Sequence, residues 1–127
     1  MAEQKKQASF TKVEQLLPSK TGLNLTVKVV SSKLISQRGR TQSRVAECLV
    51  GDETGMVVFL ARNDQVDLMQ EGTTVVLTNA RVDMYKGSMR LMVDRYGRAE
   101  VTDAASFSVQ KDNNLSLIEF ERVQVGV

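Results

Sequence analysis

Apolar and polar residues alternate along the segment that follows Gly22, and this is the clearest pattern in the chain. In residues 23–29, leucine or valine stands at each odd position, and asparagine, threonine or lysine at each even one. A period of two is typical of a strand that buries one face. The alternation slips near Val29 and Val30, which predicts that the strand continues to Ile35 with a bulge or bend.

Two short apolar runs flank the sequence Gly-Asp-Glu-Thr-Gly at residues 51–55 and predict a β-hairpin. Residues 44–50 and 56–60 are rich in β-branched and apolar side chains, and we expect the glycines to supply the positive φ of a tight reversal. The inward positions of these runs predict four core residues: Cys48, Val50, Val57 and Phe59.

One short helix is predicted after the hairpin, over residues 63–69. Asn63 or Asp64 is placed to cap it, and Val66 and Met69 are expected to lie against the sheet. Before the first strand, Pro18 ends a short apolar segment, residues 10–17, which we expect to plug one end of the fold as an extended stretch or single turn.

The longest predicted strand covers residues 73–85 and returns through a tight Lys86-Gly87 turn as a strand over residues 88–93. A strict period of two places even-numbered residues of the long strand on one side and odd-numbered ones, including Arg81 and Tyr85, on the other. Residues 95–98 are a predicted turn, and residues 99–102 can add a short edge strand.

Five strands with one short helix between the third and fourth predict an all-β fold, a five-stranded Greek-key barrel of the OB type. An SH3-like barrel is the alternative, but the helix position favours the OB-fold. The predicted domains are a disordered tail at 1–9, the barrel at 10–102 and an acidic, flexible tail at 103–127. Apolar residues between 115 and 120 suit a partner-binding peptide, an added edge strand or a poorly ordered end.

Composition argues against catalysis and against a bound metal or cofactor. The 127 residues contain no histidine and one cysteine, which removes an intrachain disulfide, most zinc sites and histidine-based acid–base chemistry. We therefore expect a protein that is not an enzyme. The chain has no apolar run of 18 residues and a polar N-terminus unlike a signal peptide, so an intracellular protein, in the nucleus or cytoplasm, is expected.

Charge is unevenly distributed behind a formal net charge of +2. Residues 23–98 carry eleven basic and eight acidic side chains, and residues 99–127 carry two basic and five acidic ones. One basic group comprises Lys33, Arg38, Arg40 and Arg44, and a second comprises Arg81, Lys86, Arg90, Arg95 and Arg98. Such groups suit a polyanion, although ordinary solvated charges have the same pattern.

Five short stretches occur in an order and at distances that resemble a known family. They are Leu17-Pro18, residues 22–30, residues 51–55, residues 70–72 and Tyr85-Lys86-Gly87. Together they resemble the single-domain OB-fold single-stranded DNA-binding proteins of archaeal and eukaryotic type, which include the B subunit of the sensor-of-single-stranded-DNA complex and a group of small plant proteins. The similarity covers residues 10–102 and is strongest with the plant group in the opening strand.

The resemblance implies that bases stack on aromatic side chains of the barrel while basic groups follow the phosphates. Tyr85 matches the aromatic residue before the Lys-Gly turn. The family's tryptophan falls at Arg62, and two further aromatic positions fall at Arg81 and Met92. Arginine and methionine can also pack on a base, so the substitutions imply binding that is more electrostatic and more salt-sensitive, with RNA as suitable as single-stranded DNA.

The predicted function is non-catalytic binding of single-stranded DNA or RNA on the barrel face, by a monomer or weak homo-oligomer. The alternative is a protein-interaction module, with a partner bound through residues 115–125 and vestigial nucleic-acid affinity. The predicted contact residues are Arg38, Arg40, Arg44, Arg62, Arg81, Tyr85, Lys86, Arg90 and Met92.

Overall fold

A computed structural model describes residues 10–38 and 43–121 of the chain, and the side chains of 36–38 are outside this description. Six strands, one α-helix and two single turns of 3₁₀ helix follow one another. The strands are β1 (Leu23–Arg38), β2 (Ser43–Asp52), β3 (Gly55–Arg62), β4 (Thr74–Tyr85), β5 (Ser88–Met92) and β6 (Arg98–Thr102). Helix α1 (Asp64–Leu68) lies between β3 and β4, and the 3₁₀ turns are Val13–Gln15 and Leu115–Leu117.

The strands form one sheet in the order β1-β2-β3-β5-β4-β6, and pairing of β1 with β4 closes five of them into a ring. Neighbouring strands are antiparallel except β3 and β5, which pair in parallel through two residue pairs. Strand β6 lies outside the ring, on the edge of β4. The predicted five-stranded OB barrel, with its helix between the third and fourth strands, is confirmed.

The barrel interior is filled by the inward side chains of alternate strand positions. The predicted core residues Cys48, Val50, Val57 and Phe59 are completely buried, as the alternation in β2 and β3 requires. Burial raises the pKa of the Cys48 thiol, which makes this thiol a poor nucleophile. Cys48 therefore acts as a small hydrophobic residue of the core.

Strand β1 pairs with two different neighbours, and its register to β2 is irregular at two places. Its register to β2 shifts between Val29 and Ser31 and again between Leu34 and Ser36. Its first part, Leu23 to Lys28, pairs with β4, while the part from Lys28 onward pairs with β2. The predicted slip near Val29 and Val30 is thus confirmed as a bulge.

Strand β4 does not keep the strict alternation that we expect from its sequence. Asn79 has a positive φ of 54°, and the register between β1 and β4 shifts at this point. The inward positions change from Val75 and Leu77 to Ala80 and Val82. The prediction that each side of the strand is uniform from residue 73 to 85 is therefore wrong, because a bulge exchanges the two sides.

The hairpin at residues 51–55 forms, but its glycines have a different role from the predicted one. Neither Gly51 nor Gly55 is among the residues with positive φ. A Cβ at Gly51 would lie 2.5 Å from the carbonyl oxygen of Gly55, and one at Gly55 would lie 2.7 Å from that of Asn113. These glycines are needed because other backbone segments approach closely.

The carboxylate of Asp52 holds the hairpin turn and the N-terminal plug together. It accepts hydrogen bonds from the backbone N–H of Thr54 at 2.8 Å, from its hydroxyl at 2.6 Å and from the N–H of Val13 at 3.0 Å. Val13 and Leu16 are buried in the core. The segment before Pro18 thus plugs the barrel as predicted, through a single 3₁₀ turn.

Helix α1 packs on the barrel through Val66, which is half-buried, and the residue that follows the helix, Met69, is buried in the core. Asn63 occupies the N-cap position but makes no capping hydrogen bond with its side chain; its Oδ1 accepts instead from the N–H of Arg44. Within residues 10–38 and 43–121, no helix has the length and apolar character needed to cross a membrane.

Residues 103–121, here called the C-terminal strap, lie along the barrel. Leu115 is only 5% exposed and belongs to the core. The hydroxyl of Ser116 accepts from the N–H of Val58 in β3 and donates to the carbonyl of Met89 in β5, at 2.9 and 2.6 Å. It therefore bridges the seam where these two strands make only two residue pairs. The domain boundary at residue 102 and the flexibility of the tail stay predictions.

Candidate nucleic-acid interface

The outward side chains of β2, β3, β5 and β4 form one continuous surface, here called the outer face. In β3, the inward positions Val57, Phe59 and Ala61 leave Val58, Leu60 and Arg62 outside. In β4, the bulge at Asn79 turns the odd-numbered residues outward. The outer face comprises Glu47, Leu49, Val58, Leu60, Arg62, Arg81, Asp83, Tyr85 and Arg90.

Strand pairing brings the charged members of the outer face close together. Arg90 of β5 stands beside Val58 of β3 and opposite Asp83 of β4. Tyr85 lies two positions further along β4, where it pairs with Ser88. The aliphatic side chains of β2 and β3 adjoin this charged part.

Tyr85 offers an exposed ring at the end of β4. Its side chain is 49% exposed, and the guanidinium carbon of Arg90 lies 4.3 Å from the ring centroid. The ammonium of Lys86 lies 5.3 Å from the same centroid. Lys86 and Gly87 both have positive φ, which closes the turn to β5. Cation–π contacts with Arg90 and Lys86 therefore restrain the ring and place two positive charges beside it.

Arg90 is fixed from a second direction by Glu47 of β2. Its Nη2 lies 2.7 Å from Oε2 of Glu47, and both side chains are partly buried. The ion pair orients the guanidinium against the Tyr85 ring. It also places one negative charge in the middle of the outer face, where it opposes binding of a polyanion.

Arg81 lies further along β4 and is incompletely paired. Its Nη1 lies 3.3 Å from Oδ2 of Asp94, and its Nη2 donates to the sulfur of Met92 at 3.5 Å. Its Nε is buried and makes no hydrogen bond to the described part of the chain. Met92 itself is 6% exposed. The predicted site residue Met92 thus supports Arg81 from below and presents little surface to a base.

Arg62 is exposed at the end of β3 and belongs to the outer face, as predicted. It takes part in no ion pair with the residues that the structure describes. Its backbone N–H donates to Oε1 of Gln65 at 3.1 Å, which fixes the chain where β3 ends and α1 follows. Arg62 is therefore a cation available to a ligand.

Arg44 is separated from the other predicted site residues. It shares the inward parity of Ala46, at the end of the barrel that α1 covers. Its two terminal nitrogens donate to both carboxylate oxygens of Asp67, at 2.8 and 3.0 Å. This hydrogen bonding lowers the pKa of the Asp67 carboxyl and raises the pKa of Arg44. Arg44 thus fastens β2 to α1 and is not part of the outer face.

The side chains of two predicted contact residues lie outside the part of the chain that the structure describes. Arg38 ends β1, and its side chain lies outside the described residues. Arg40 falls in the stretch 39–42, which is also outside them. Their contacts with nucleic acid stay predictions.

Tyr96, which we did not predict as a site residue, is the second exposed aromatic ring near these arginines. It lies in the turn between β5 and β6, is 71% exposed, and has the guanidinium carbon of Arg95 at 5.1 Å from its centroid. Asp94, the partner of Arg81, also accepts from the N–H of Tyr96 at 2.9 Å. The signal in the sequence is that Tyr85 and Tyr96 are the only two tyrosines, and both adjoin basic residues.

The outer face combines several cations, the two carboxylates of Glu47 and Asp83, one flanked aromatic ring and aliphatic side chains. These groups can pair with phosphates and stack on bases. Within the described residues, no three carboxylate or thiol groups are placed to hold a metal ion.

Comparison with known proteins gives the family. Residues 16–101 match the family model described as single-stranded DNA binding protein Ssb-like, OB fold. The chain is 52% identical to the Arabidopsis thaliana protein At4g28440, over 96% of this chain and 88% of that one. It is 31% identical to the single-stranded DNA binding protein Ssb of Saccharolobus solfataricus, over 63% of this chain and 55% of that protein.

A solved structure is similar in fold to this chain. The solution structure of the hypothetical protein F20O9.120 from Arabidopsis thaliana superposes with a TM-score of 0.82 and 49% identity, covering 100% of this chain and 96% of that one. The family match covers β1 to β5, all of β6 except its last residue, and every residue of the outer face. The chain therefore belongs to the Ssb-like family of single-stranded DNA binding proteins with an OB fold.

Proposed function

We propose that this protein binds single-stranded nucleic acid, DNA or RNA, along the outer face and performs no catalysis. The observation that carries the proposal is the half-exposed ring of Tyr85, flanked by Arg90 and Lys86 on the same face as Arg62 and Arg81. An aromatic ring with adjacent cations accepts a base and its phosphate without regard to sequence. The relative named as a single-stranded DNA binding protein supports this proposal.

Phosphate contacts are expected to contribute more to affinity than stacking does. Arginines occupy two positions where the resemblance implies aromatic residues, and Met92 at the third is buried. If Arg62, Arg81, Lys86 and Arg90 each neutralise one phosphate, the slope of log K against log salt is about −3, at about −0.7 per phosphate. The proposed binding is therefore steeply salt-dependent.

Fluorescence anisotropy with labelled dT and rU dodecamers across a salt series tests the proposal. We expect wild-type protein to bind and to lose affinity steeply with salt, and Arg62→Ala/Tyr85→Ala to bind at least tenfold more weakly at low salt. Arg44→Ala is the matched control, because Arg44 is bound to Asp67 away from the outer face. Absence of wild-type binding at low salt, or equal losses in the double variant and the control, would contradict the proposal.

Glu47→Gln is expected to strengthen binding about three- to fivefold at low salt. Glutamine removes the negative charge beside Arg90 while keeping similar size, and opposite or like charges about 4 Å apart in water interact by about 1 kcal/mol. Glu100→Gln is the control, because Glu100 pairs with Arg98 on β6, outside the outer face. The same anisotropy titration measures both variants; identical affinities for them would show that Glu47 does not face the bound strand.

Protein binding through the strap is the second candidate function. Leu117, Ile118 and Phe120 are 77%, 46% and 38% exposed within four residues, and Phe120 adjoins Pro18 and Met84. Exposed apolar side chains in such proximity suit a protein partner. If nucleic acid does not bind, we expect the protein to bind a protein partner through the strap. Leu117→Ser is then expected to weaken that binding.

We further propose that the protein acts inside the cell, in the nucleus or the cytoplasm, as a monomer or weak homo-oligomer. A single buried thiol suits a reducing compartment. Neither function requires a cofactor.

A further inference from the structure

We infer that the turn between β5 and β6 is a second stacking site for the same nucleic-acid strand, with Tyr96 as its platform. The inference rests on the proposed function and extends it beyond the outer face. Tyr96 is exposed, its turn is anchored to β4, and Asp94 connects it to Arg81.

Tyr96 adjoins a small polar cleft next to the bulge of β4. The cleft has a volume of about 320 Å³ and is lined by Thr21, Gly22, Asn79, Arg81, Asp94 and Tyr96. It contains a guanidinium, a carboxylate and a side-chain amide, all of which can hydrogen-bond to a base edge. The tyrosine supplies the aromatic surface that a stacked base requires.

The backbone of the turn that carries Tyr96 is anchored, so the exposed ring projects from a fixed point of the chain. The N–H of Tyr96 donates to Oδ1 of Asp94 at 2.9 Å, and its carbonyl accepts from Nδ2 of Asn79 at 3.0 Å. A Cβ at Gly97 would lie 2.6 Å from the carbonyl oxygen of Thr78, which shows how closely this turn approaches β4. These contacts distinguish Tyr96 from an ordinary solvent-exposed tyrosine, whose turn would not have to be held against β4. A ring carried on an anchored backbone costs less conformational entropy when a base stacks on it than a ring on a loose turn does.

Asp94 connects the Tyr96 turn to the outer face. Its Oδ2 pairs with Arg81 while its Oδ1 holds the backbone of Tyr96. Arg81 therefore lies between the two exposed tyrosines, and its buried Nε has no partner in the described structure. A strand that leaves Tyr85 along β4 meets Arg81 and then the ring of Tyr96.

The spacing fits a short stretch of single strand. Tyr85 and Arg81 are four residues apart in β4, which is about 13 Å at 3.3 Å per residue. Stacked nucleotides advance by about 3.4 Å each, so about four nucleotides cover this distance. Each ring also has a cation beside it, Arg90 at Tyr85 and Arg95 at Tyr96, for the neighbouring phosphate.

Fluorine NMR tests the inference directly, because the chain has only two tyrosines. Protein labelled with 3-fluorotyrosine gives two signals, which Tyr85→Phe and Tyr96→Phe assign. On titration with dT dodecamer, we expect both signals to shift with the same midpoint. Movement of the Tyr85 signal alone overturns the inference and leaves the proposed function standing. Absence of any shift, together with no change in anisotropy, overturns both.

Affinity for strands of two lengths provides the second measurement. We expect Tyr96→Ala to weaken binding of dT dodecamer about 5- to 150-fold, the loss of one stacked base, and Tyr96→Phe to retain it. A dT trimer is too short to cover both rings, so its occupancy of the Tyr85 ring is expected to be unaffected by Tyr96→Ala. Equal dodecamer affinity in Tyr96→Ala and wild type would contradict the second site.

Discussion

Leu115→Ala is expected to lower the free energy of unfolding by about 2–5 kcal/mol, the usual cost of truncating a buried leucine. Leu115 is 5% exposed and packs in the barrel core, although it lies far from the barrel strands in sequence. Its removal leaves a cavity where the strap covers β3 and β5. Urea denaturation followed by circular dichroism measures the loss.

Leu117→Ala is the matched control for this experiment. Leu117 belongs to the same 3₁₀ turn but is 77% exposed, so its replacement is expected to change stability by less than about 0.5 kcal/mol. Equal effects of the two substitutions would show that the strap does not dock through Leu115. A large difference establishes the strap as part of the folded barrel.

Tyr85→Ala is expected to weaken binding of single-stranded nucleic acid about 5- to 150-fold, which corresponds to about 1–3 kcal/mol for one stacked base. The substitution removes the ring against which Arg90 and Lys86 are held. Anisotropy with dT and rU dodecamers at low and moderate salt measures the change. Because the ring carries no charge, the salt slope is expected to stay close to that of wild type.

Tyr85→Phe separates stacking from other roles of the side chain. Phenylalanine keeps the π-face and the cation–π contacts but lacks the hydroxyl, so we expect affinity within about threefold of wild type. Equal losses in the phenylalanine and alanine variants would assign the effect to the hydroxyl rather than to stacking. Unchanged affinity in both would remove Tyr85 from the site.

The barrel could be predicted from sequence because its main signals are local. The period of two before Val29 and the two apolar runs around residues 51–55 identify strands by themselves, and the slip in parity identifies the bulge in β1. The bulge at Asn79 could not be predicted in this way. Asn79 has a positive φ in a strand that pairs with β1, β5 and β6. Its side chain also donates to the backbone of the Tyr96 turn. These contacts come from distant parts of the chain and leave no local pattern.

The docking of the strap on the barrel could not be predicted from sequence for a different reason. The strap is attached largely by hydrogen bonds of backbone groups and short polar side chains. The N–H of Phe120 donates to the carbonyl of Gly87, and the hydroxyl of Ser116 bonds to the backbones of β3 and β5. Serine and asparagine in a charged stretch are equally typical of a flexible tail. Only Leu115 is deeply buried, and one leucine is not a periodic signal.

Members of the candidate site can be predicted from sequence when the alternation of a regular strand decides which way they face. They cannot be predicted when contacts between distant segments decide their position. Arg62 and Arg90 follow from the alternation of the strands that carry them. Tyr85 faces outward because the bulge at Asn79 reverses the alternation of β4. Arg44 lies elsewhere because α1 folds over the end of β2 and supplies Asp67. The sequence places Tyr96 next to Arg95, but its connection to Arg81 through Asp94 is a tertiary contact.

Amide chemical-shift mapping during titration with dT dodecamer tests most directly whether the outer face binds single-stranded nucleic acid. The largest shifts are expected along β3, β4 and β5, around Arg62, Tyr85 and Arg90, while the amides of α1 and of Arg44 stay nearly unchanged. Shifts confined to α1 and the strap, or no shifts at low salt, would contradict the assignment of this face as the binding surface.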